Sequence, residues 1–272
     1  MSNERLADFR RVFAEIVFAR GGCRDRRILE AFATVPRHEF LGPGPWHVSE
    51  HGDVTPSDDP ALTYQDIGLA LAPDRGIPTG LPSLHARCIE ACAPKSGDRV
   101  VHVGAGSGYF TAILAHLIGE QGSVLAFEID RLLAERAKVL LGSHANVRVD
   151  VASGVRQLET SDLIYVCAGL QQLPLAWLDA LSQHGRLMFP LAPGTEEGAM
   201  LLVTRDGDAF RARFVSSARF VPCIGALDPA KNEALAKAFR SGTRDEVRSL
   251  KRTAPDDTAW FTGDGWWLST SI

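Results

Sequence analysis

The sequence predicts an α/β protein built on a mostly parallel sheet of seven strands, with helices on both faces. Short apolar runs alternate with amphipathic segments over residues 63–222, which is the pattern of a parallel sheet that is covered on both sides. A glycine-rich turn follows the first apolar run and leads into a helical segment. The predicted strands are RVVHVGA, SVLAFEI, VRVDVA, DLIYVCA, GRLMFPLA, AMLLVTRDG and ARFVSSARFVP.

Three regions divide the chain. Residues 1–62 are expected to form an N-terminal helical cap, with helices in DFRRVFAEIVFA and RDRRILEAFATV and a Pro-, Gly- and Asp-rich surface segment over 42–62. Residues 63–222 form the sheet domain, in which TAILAHLIG, RLLAERAKVLLGS and LPLAWLDALSQ are helices and the last strands pair antiparallel. Residues 223–272 form a C-terminal extension with a helix in PAKNEALAKAFRSG and a second candidate helix in RDEVRSLKRT. Its aromatic, strand-like end either packs on the main domain or forms a substrate or dimer surface.

Composition excludes several classes of protein. With 272 residues, 45% hydrophobic and 23% charged, the chain has ordinary globular composition. A net charge of −4 gives no sign of bulk nucleic-acid binding. The N-terminus lacks the apolar stretch of a secretory signal, and no run approaches the 18 or so apolar residues of a membrane span, so we expect a cytoplasmic protein. Five cysteines without a CxxC pair indicate neither disulfides nor a metal site, and Cys88 and Cys92 are expected to be core thiols.

The glycine-rich turn is the strongest functional signal in the sequence. It comprises Gly104, Ala105, Gly106, Ser107 and Gly108, between an apolar strand and a helix. Glycines let the backbone bend tightly and let a ligand approach bare N–H groups, and the following helix directs its N-terminal donors at whatever sits in the turn. We therefore expect these five residues to bind a cofactor.

The spacing of the glycines indicates which cofactor is bound. Dinucleotide-binding turns read GxGxxG, with a third glycine for close helix packing. Here the turn reads GxGxG and Tyr109 occupies the position of that third glycine. The spacing fits S-adenosylmethionine better than NAD, so an NAD enzyme is disfavoured.

A carboxylate at the end of the second strand supports a ribose site. Glu128 lies twenty residues after Gly108 and can accept hydrogen bonds from both ribose hydroxyls. Ile129 follows it and is assigned to the same cofactor site, and Asp130 is expected to cap the next helix.

The ends of the next two strands give weaker signals. Ser153 and Gly154 follow the third strand and are candidates for contacts with adenine. Residues 167–169, after the fourth strand, are small and either allow close approach of a ligand or only pack tightly.

These elements resemble one methyltransferase family in order and spacing. The stretch RGGCRDRRILEAFATVPRHEFLG is similar to the N-terminal helices and the VPR-x-x-F signature of the protein-L-isoaspartate O-methyltransferases, and Tyr64, Asp66 and Leu69 resemble their Tyr-x-Asp-x-x-Leu segment. The likeness covers residues 5–222. It implies a Rossmann-like class I methyltransferase fold, S-adenosylmethionine as cofactor, and methylation of a carboxylate of a protein or peptide. In the family that carboxylate belongs to an L-isoaspartyl residue.

The chain departs from the family at the loop that bears on the acceptor. The family loop reads Gly-Gln-Thr-Ile-Ser-x-Pro, whereas residues 76–82 here place Pro78 at the threonine and Gly80 at the serine. Thr79 offers a hydroxyl one position away, and Thr79 and Gly80 are assigned to the catalytic site. His85 resembles a cofactor-side histidine of the family.

Two further positions differ. The family's Gly-Asp-Gly after the third strand is replaced by residues 152–154, Ala-Ser-Gly, and His102 stands where an acidic residue is common. These departures and the C-terminal extension favour an isoaspartate site that has drifted from the family pattern.

The chemistry of methyl transfer leaves several acceptors open. A carboxylate is already ionised at pH 7, so it requires alignment and exclusion of water but no general base. An amine or hydroxyl acceptor would need a base, for which His47, His85 and His102 are the candidates. The alternatives are a methyltransferase for a small molecule or for a ribosomally made peptide without isoaspartyl repair, and a non-catalytic cofactor-binding protein. The sequence does not set the oligomeric state.

Overall fold

The computed structural model describes residues 3–49, 56–194 and 196–272. The chain forms two compact units, one comprising Met1–Gly97 and Ala105–Val151 and the other Asp98–Gly104 and Ala152–Ile272. These units differ from the three regions expected from the sequence, whose boundaries stay predictions. Residues 50–55 of the predicted surface segment lie outside the described residues. Among the helices described, none combines the length and the apolarity that crossing a membrane requires.

The described elements are as follows. The helices are α1 (Asn3–Gly21), α2 (Arg26–Thr34), α3 (Arg37–Leu41), α4 (Pro82–Cys92), α5 (Tyr109–Ile118), α6 (Arg131–Leu141), α7 (Leu175–Asp179) and α8 (Pro229–Arg240). The strands are β1 (Ala70–Ala72), β2 (Ile77–Pro78), β3 (Arg99–Val103), β4 (Ser123–Glu128), β5 (Val147–Val151), β6 (Ser161–Val166), β7 (Leu181–Leu191), β8 (Gly198–Asp206), β9 (Ala209–Ala218), β10 (Ser249–Lys251), β11 (Ala259–Thr262) and β12 (Trp267–Ser269).

The seven predicted strands are present as β3 to β9. In the first unit β4 and β5 pair in parallel, and β1 and β2 form a short antiparallel hairpin that the sequence pattern did not predict. In the second unit the strand order is β11-β12-β10-β9-β8-β7-β6-β3. Here β3, β6 and β7 are parallel, and the remaining pairs are antiparallel, as expected for strands without intervening helices. The C-terminal extension therefore adds three strands, and the sheet is larger and more mixed than the seven-stranded prediction.

Two helix predictions were wrong in part. The segment predicted as a helix over residues 173–183 is helical only in α7, because Leu181 already begins β7 and pairs with Ser161 of β6. The candidate helix in RDEVRSLKRT is a 3-10 turn followed by β10, which pairs with both β9 and β12. In both cases strand pairing with distant residues outweighs local helical preference.

The aromatic end of the chain packs inside the second unit. Trp266 and Trp267 are buried, and their indole N–H groups donate to Gln172 Oε1 (3.2 Å) and to the carbonyl oxygen of Thr253 (3.0 Å). Trp260 lies edge-on to two phenylalanine rings, one from β9 and one from α8, at 5.2 and 5.3 Å. Of the two interpretations of this aromatic segment, packing within the protein therefore accounts for these side chains. Cys88 and Cys92 are also buried, which confirms that they are core thiols.

Close packing surrounds Gly154 in the second unit. A Cβ atom on this residue would lie 2.7 Å from both γ carbons of Val103, and its carbonyl oxygen accepts a hydrogen bond of 2.9 Å from Nε1 of the buried Trp177. Gly154 is thus required by the packing between β3 and α7 whatever else it contacts.

We predict that Gly154→Ala lowers the free energy of unfolding by about 1 to 3 kcal/mol, because the added methyl group overpacks the contact with Val103. Urea unfolding measures the change. Gly169→Ala is the matched control, since its nearest neighbours would lie at 3.7 Å, and Val103→Ala in the Gly154→Ala background should restore part of the loss. Equal stability of the two glycine variants would contradict the packing argument.

Candidate cofactor and acceptor site

The glycine turn has the backbone conformation that its sequence predicts. Gly104, Gly106 and Gly108 have φ values of +77°, +57° and +95°, in the left-handed region that side-chain-bearing residues rarely adopt. The turn closes through a hydrogen bond of 2.9 Å from Gly108 N to the carbonyl oxygen of Ala105. Ala105 N in turn donates to the carbonyl oxygen of Phe127 in β4 (3.1 Å), which fixes the turn beside the end of that strand.

Glu128 ends β4 with a buried carboxylate that holds the turn. Its Oε2 accepts a hydrogen bond of 2.7 Å from Gly106 N, and its Oε1 accepts one of 2.8 Å from Asp130 N. Burial raises the pKa of Glu128 above its ordinary value, while the backbone N–H groups act in the opposite direction. Each carboxylate oxygen offers about two acceptor positions, so the group can still accept hydrogen bonds from a ligand.

Asp130 caps α6, as the sequence predicted. Its Oδ1 accepts a hydrogen bond of 3.0 Å from Leu133 N, and its carboxylate forms an ion pair with Arg75. Burial is the largest single influence on the pKa of Asp130 and acts upward, but the Leu133 N–H and the Arg75 guanidinium outweigh it and leave the pKa below its usual value. The loop between β1 and β2 is therefore tied to the start of α6.

The β1–β2 hairpin also lies against the glycine turn. Leu71 of β1 approaches so closely that a Cβ atom on Gly106 would lie 3.1 Å from its Cδ1. A side chain at position 106 would thus be strained by the positive φ and would also press on a neighbouring side chain.

Two exposed apolar side chains lie at the ends of β4 and β5. Ile129 is 50% exposed and Val151 is 37% exposed. Val151 is paired in register with Glu128, so both apolar groups lie next to the buried carboxylate. Apolar surface beside a few fixed polar groups is the usual composition of a small-molecule site.

The predicted residues of the second unit have structural partners there. Ser153 Oγ accepts a hydrogen bond of 3.2 Å from Val155 N. His102, fully buried in β3, lies with its Nε2 3.3 Å from the Sγ of Cys167, and a Cβ atom on Gly104 would lie 3.4 Å from the carbonyl carbon of Cys167. A cofactor-binding role for Ser153 stays a prediction, as it does for Gly154.

Arg37 is a buried cation in the first unit. Its Nη1 donates to the carbonyl oxygens of Thr63 (3.0 Å) and Gln65 (2.7 Å). Its Nη2 donates to the carbonyl oxygen of Ile67 (2.8 Å) and to Oγ1 of Thr79 (3.3 Å). Burial lowers the pKa of Arg37 to about 10, so the guanidinium remains charged at neutral pH. One side chain therefore orders the segment over 63–67 and joins it to the loop where the acceptor is expected.

Thr79 is held from several sides. Its Oγ1 accepts hydrogen bonds from Leu69 N (3.0 Å) and from Arg37, and it donates to the carbonyl oxygen of Gly80 (2.9 Å). Its own N–H donates to the carbonyl oxygen of Leu69 (2.7 Å). The hydroxyl proton is thus committed to the backbone, which favours a positioning role for Thr79. The assignment of Thr79 and Gly80 to the catalytic site stays a prediction.

His85 lies in α4 next to the helix that follows the glycine turn. The side chain is 1% exposed, and its ring stacks on Phe110 of α5 with centroids 3.7 Å apart and planes 22° apart. On its other side the ring reaches Gly80. His85 therefore joins the acceptor loop to α5, and its predicted role beside the cofactor stays a prediction.

Asp66 and Tyr64, which resemble the family's Tyr-x-Asp-x-x-Leu segment, hold helices around the candidate site. Asp66 Oδ1 accepts a hydrogen bond of 2.9 Å from Ser83 N in the first turn of that helix, and Oδ2 pairs with Arg20 at 3.2 Å. The hydroxyl of the buried Tyr64 lies 2.6 Å from His38 Nδ1. These residues hold the scaffold of the site.

Comparison with known proteins identifies the family of this chain. The model of the family Protein-L-isoaspartate(D-aspartate) O-methyltransferase (PCMT) matches residues 12–228. The chain belongs to this family. A Protein-L-isoaspartate O-methyltransferase of Roseiflexus sp. (strain RS-1) is 32% identical over 225 residues, which cover 81% of this chain and 94% of that protein. Its counterpart in Protochlamydia amoebophila (strain UWE25) is 34% identical over 210 residues, with coverage of 75% and 91%.

Solved structures of PCMT proteins share the fold. A protein-L-isoaspartate O-methyltransferase aligns with a TM-score of 0.66 and 24% identity, over 85% of this chain and 69% of that one. A Plasmodium falciparum protein described as a PCMT, in complex with S-adenosyl-L-homocysteine, aligns with a TM-score of 0.64 and 18% identity, over 79% and 97%. Family membership and fold confirm the predicted S-adenosylmethionine-dependent carboxyl O-methyltransferase, and they do not favour the small-molecule alternative.

Sequence reasoning missed three contributors to the site. It assigned no role to Arg37, although the residue stands in the PCMT-like VPR-x-x-F signature, and it did not single out Leu71 or Arg75. For Arg37 the sequence did offer a signal, since an arginine stands there among the apolar residues of the signature. The contacts of Leu71 and Arg75 depend on a hairpin with little local sequence signal.

We predict that Arg37→Met lowers the free energy of unfolding by on the order of 3 kcal/mol, because three buried or part-buried carbonyl oxygens lose the guanidinium that donates to them. The free energy of unfolding of Arg37→Lys should lie between those of Arg37→Met and the parent, because an ammonium keeps the charge but lacks the forked donors of a guanidinium. Arg11→Met, which removes an exposed pair with Asp8, is the control in the same urea titration. A loss no larger than that of the control would contradict the proposed role of the guanidinium.

The buried histidine in β3 predicts a pH dependence of stability. Burial lowers the pKa of His102 to about 3, whereas an unfolded histidine titrates near about 6.5. Below pH about 6.5 the unfolded chain therefore binds a proton at this histidine that the folded chain does not bind. The free energy of unfolding should fall by roughly 1.4 kcal/mol for each pH unit of acidification because of this residue. We expect the stability difference between the parent and His102→Gln to change by about 2 kcal/mol between pH 6.5 and 4.5. His116→Gln, at an exposed position, serves as the control, and a pH-independent difference for His102→Gln would refute the assignment.

Proposed function

We propose that the protein methylates the α-carboxylate of L-isoaspartyl residues in proteins or peptides, with S-adenosylmethionine as the methyl donor. The observation that carries the proposal is the buried Glu128 carboxylate at the end of β4, held by Gly106 N and Asp130 N in a chain that belongs to the PCMT family. The curated relatives with the same domain bear the name of this activity. The drift of the acceptor site that Gly80 and Pro78 suggested is not favoured by these matches.

The residues of the first unit fit the cofactor. The glycine turn over residues 105–108 suits the methionine part, because glycines let a ligand approach the backbone closely. The remaining acceptor positions of Glu128 suit the two ribose hydroxyls. The exposed face of Ile129 suits the adenine ring, because an aromatic ligand gains from covering apolar surface. When bound, S-adenosylmethionine supplies an electrophilic methyl group on a positively charged sulfur.

The chain needs to align the acceptor rather than to deprotonate it. A carboxylate is ionised at neutral pH, so the work of the protein is orientation and exclusion of water. The loop with Thr79 and Gly80 is held by backbone hydrogen bonds and by Arg37, which suits a positioning surface. Among the candidate bases His47, His85 and His102, the last is buried and its pKa is lowered to about 3, which makes it a weak base at neutral pH.

A paired peptide assay tests the proposal. Transfer of tritiated methyl from S-adenosylmethionine is measured with an isoaspartyl peptide and with the same sequence carrying aspartate. We expect turnover of the isoaspartyl peptide alone and a product whose label is released by mild base, as for a carboxyl ester. Turnover of neither peptide, or a base-stable product, would overturn the proposal.

We predict that Glu128→Gln weakens binding of S-adenosyl-L-homocysteine by about 10- to 100-fold, measured by calorimetry. The amide keeps the size of the side chain but turns one acceptor oxygen into a donor that faces a backbone N–H. The control is Glu135→Gln, at an exposed position of α6 paired with Lys138. An unchanged Kd for Glu128→Gln would remove the residue from the cofactor site.

A further inference from the structure

An open groove lies on the second unit where β8, β9 and the segment before β10 meet. It has a volume of about 450 Å³ and is lined by three arginines, Arg211, Arg213 and Arg248. Leu202 and Val247 also line it, and both of these side chains are buried. Among the described residues that line the groove none is acidic, so it combines three positive charges with an apolar surface.

Strand pairing fixes two of these arginines on one face of the sheet. In the antiparallel register of β8 and β9, Arg211 lies opposite Thr204 and Arg213 lies opposite Leu202. Both arginines are exposed, whereas Ala212 between them is buried. Alternate residues of a strand point to the same side, so the two side chains leave β9 about 6.5 to 7 Å apart. They form a row of positive charge with the repeat of an extended chain.

The three guanidinium groups keep donors for a ligand. Within the part of the chain that the structure describes, Arg213 has no hydrogen-bond or ion-pair partner. Arg211 Nε pairs with Asp206 Oδ2 at 2.9 Å, and its side chain remains 66% exposed. Arg248 Nη1 donates to two backbone carbonyl oxygens of the preceding segment, at 2.6 and 2.9 Å, which holds that group at the groove. Because an arginine has five N–H donors, these contacts leave donors unused on each residue.

The shape and lining of the groove favour an acidic polypeptide as its ligand. A small ligand is usually enclosed over most of its surface, whereas these three arginines are exposed. A nucleic acid strand gains from aromatic rings on which its bases stack, and none of the described lining residues is aromatic. The net charge of −4 also opposes a long polyanion. In an extended polypeptide, side chains two residues apart repeat at the same spacing as Arg211 and Arg213.

We propose that this groove binds an acidic segment of a polypeptide in extended conformation, with carboxylates two residues apart on Arg211 and Arg213 and a further carboxylate on Arg248. Guanidinium and carboxylate groups form paired, charge-assisted hydrogen bonds, which set the register of such a segment. Val247 and Arg248 lie beyond the family match, which ends at residue 228, so the C-terminal extension completes the groove. None of the described lining residues belongs to the proposed cofactor or acceptor site, and the inference goes beyond the proposed function.

Fluorescence anisotropy with labelled ligands tests the inference on the full chain. The probe is a short peptide of alternating alanine and glutamate, and the controls are the same peptide with glutamine or lysine in place of glutamate and a single-stranded oligonucleotide of equal negative charge. We expect the glutamate peptide alone to bind, with a Kd that rises at least about threefold between roughly 20 and 200 mM salt, because ions screen exposed charge pairs. Equal binding of the glutamine peptide, or tighter binding of the oligonucleotide, would overturn the inference.

Three variants place the binding in the groove. Arg213→Gln should weaken binding of the glutamate peptide about three- to tenfold. Arg219→Gln is the matched control, because it removes the same charge at an exposed position just after β9 and outside the groove, and its Kd should stay within about twofold of the parent. Asp206→Asn should tighten binding about two- to fivefold, because it releases Arg211 from its ion pair. A purely structural role of these residues would not produce that gain.

The outcomes decide the inference separately from the proposed function. Peptide binding needs no methyl transfer, so the titration is informative even if the parent turns over no isoaspartyl peptide. Thermal unfolding of each variant shows that a change in Kd does not come from loss of the fold. An unchanged Kd in folded Arg213→Gln, an equal loss in Arg219→Gln, or weaker binding by Asp206→Asn would each refute the groove as the binding site.

Discussion

The buried carboxylate of Glu128, with its two hydrogen bonds to the backbone, is the group on which the proposed cofactor site depends. It joins the glycine turn to the start of α6, because its two oxygens accept hydrogen bonds from Gly106 N and Asp130 N. Burial penalises the ionised form and raises the pKa, while the backbone donors stabilise it. A carboxylate fixed in this way presents its remaining acceptor positions in one orientation, which is the preorganisation that specific binding of a diol requires.

A second buried charge arranges the loop where we propose that the acceptor binds. The guanidinium of Arg37 has three carbonyl oxygens and the Thr79 hydroxyl as partners, so the conformation of the loop and the stability of the first unit depend on the same contacts. Arginine suits this task because its forked donors reach several acceptors at once and its charge persists despite burial. The site is thus part of the scaffold, and substitutions in it affect folding and activity together.

Local signals explain what the sequence could predict. The glycine turn, the position of Glu128 at the end of β4 and the cap at Asp130 follow from residues near one another in the chain, and the sequence predicted all three. Binding of the ribose by Glu128 stays a proposal. The β1–β2 hairpin, the contacts of Arg37 and the close approach of His85 to Gly80 depend on residues that meet only after folding. The same reason explains the helix predicted where β10 forms, since pairing with β9 and β12 decides that segment.

The most direct test is a crystal structure of the protein with S-adenosyl-L-homocysteine. The account predicts both ribose hydroxyls within about 3 Å of the two oxygens of Glu128, with the hydrogen bonds from Gly106 N and Asp130 N intact. A nucleoside bound elsewhere, or bound at the glycine turn without contact to Glu128, would contradict the central claim.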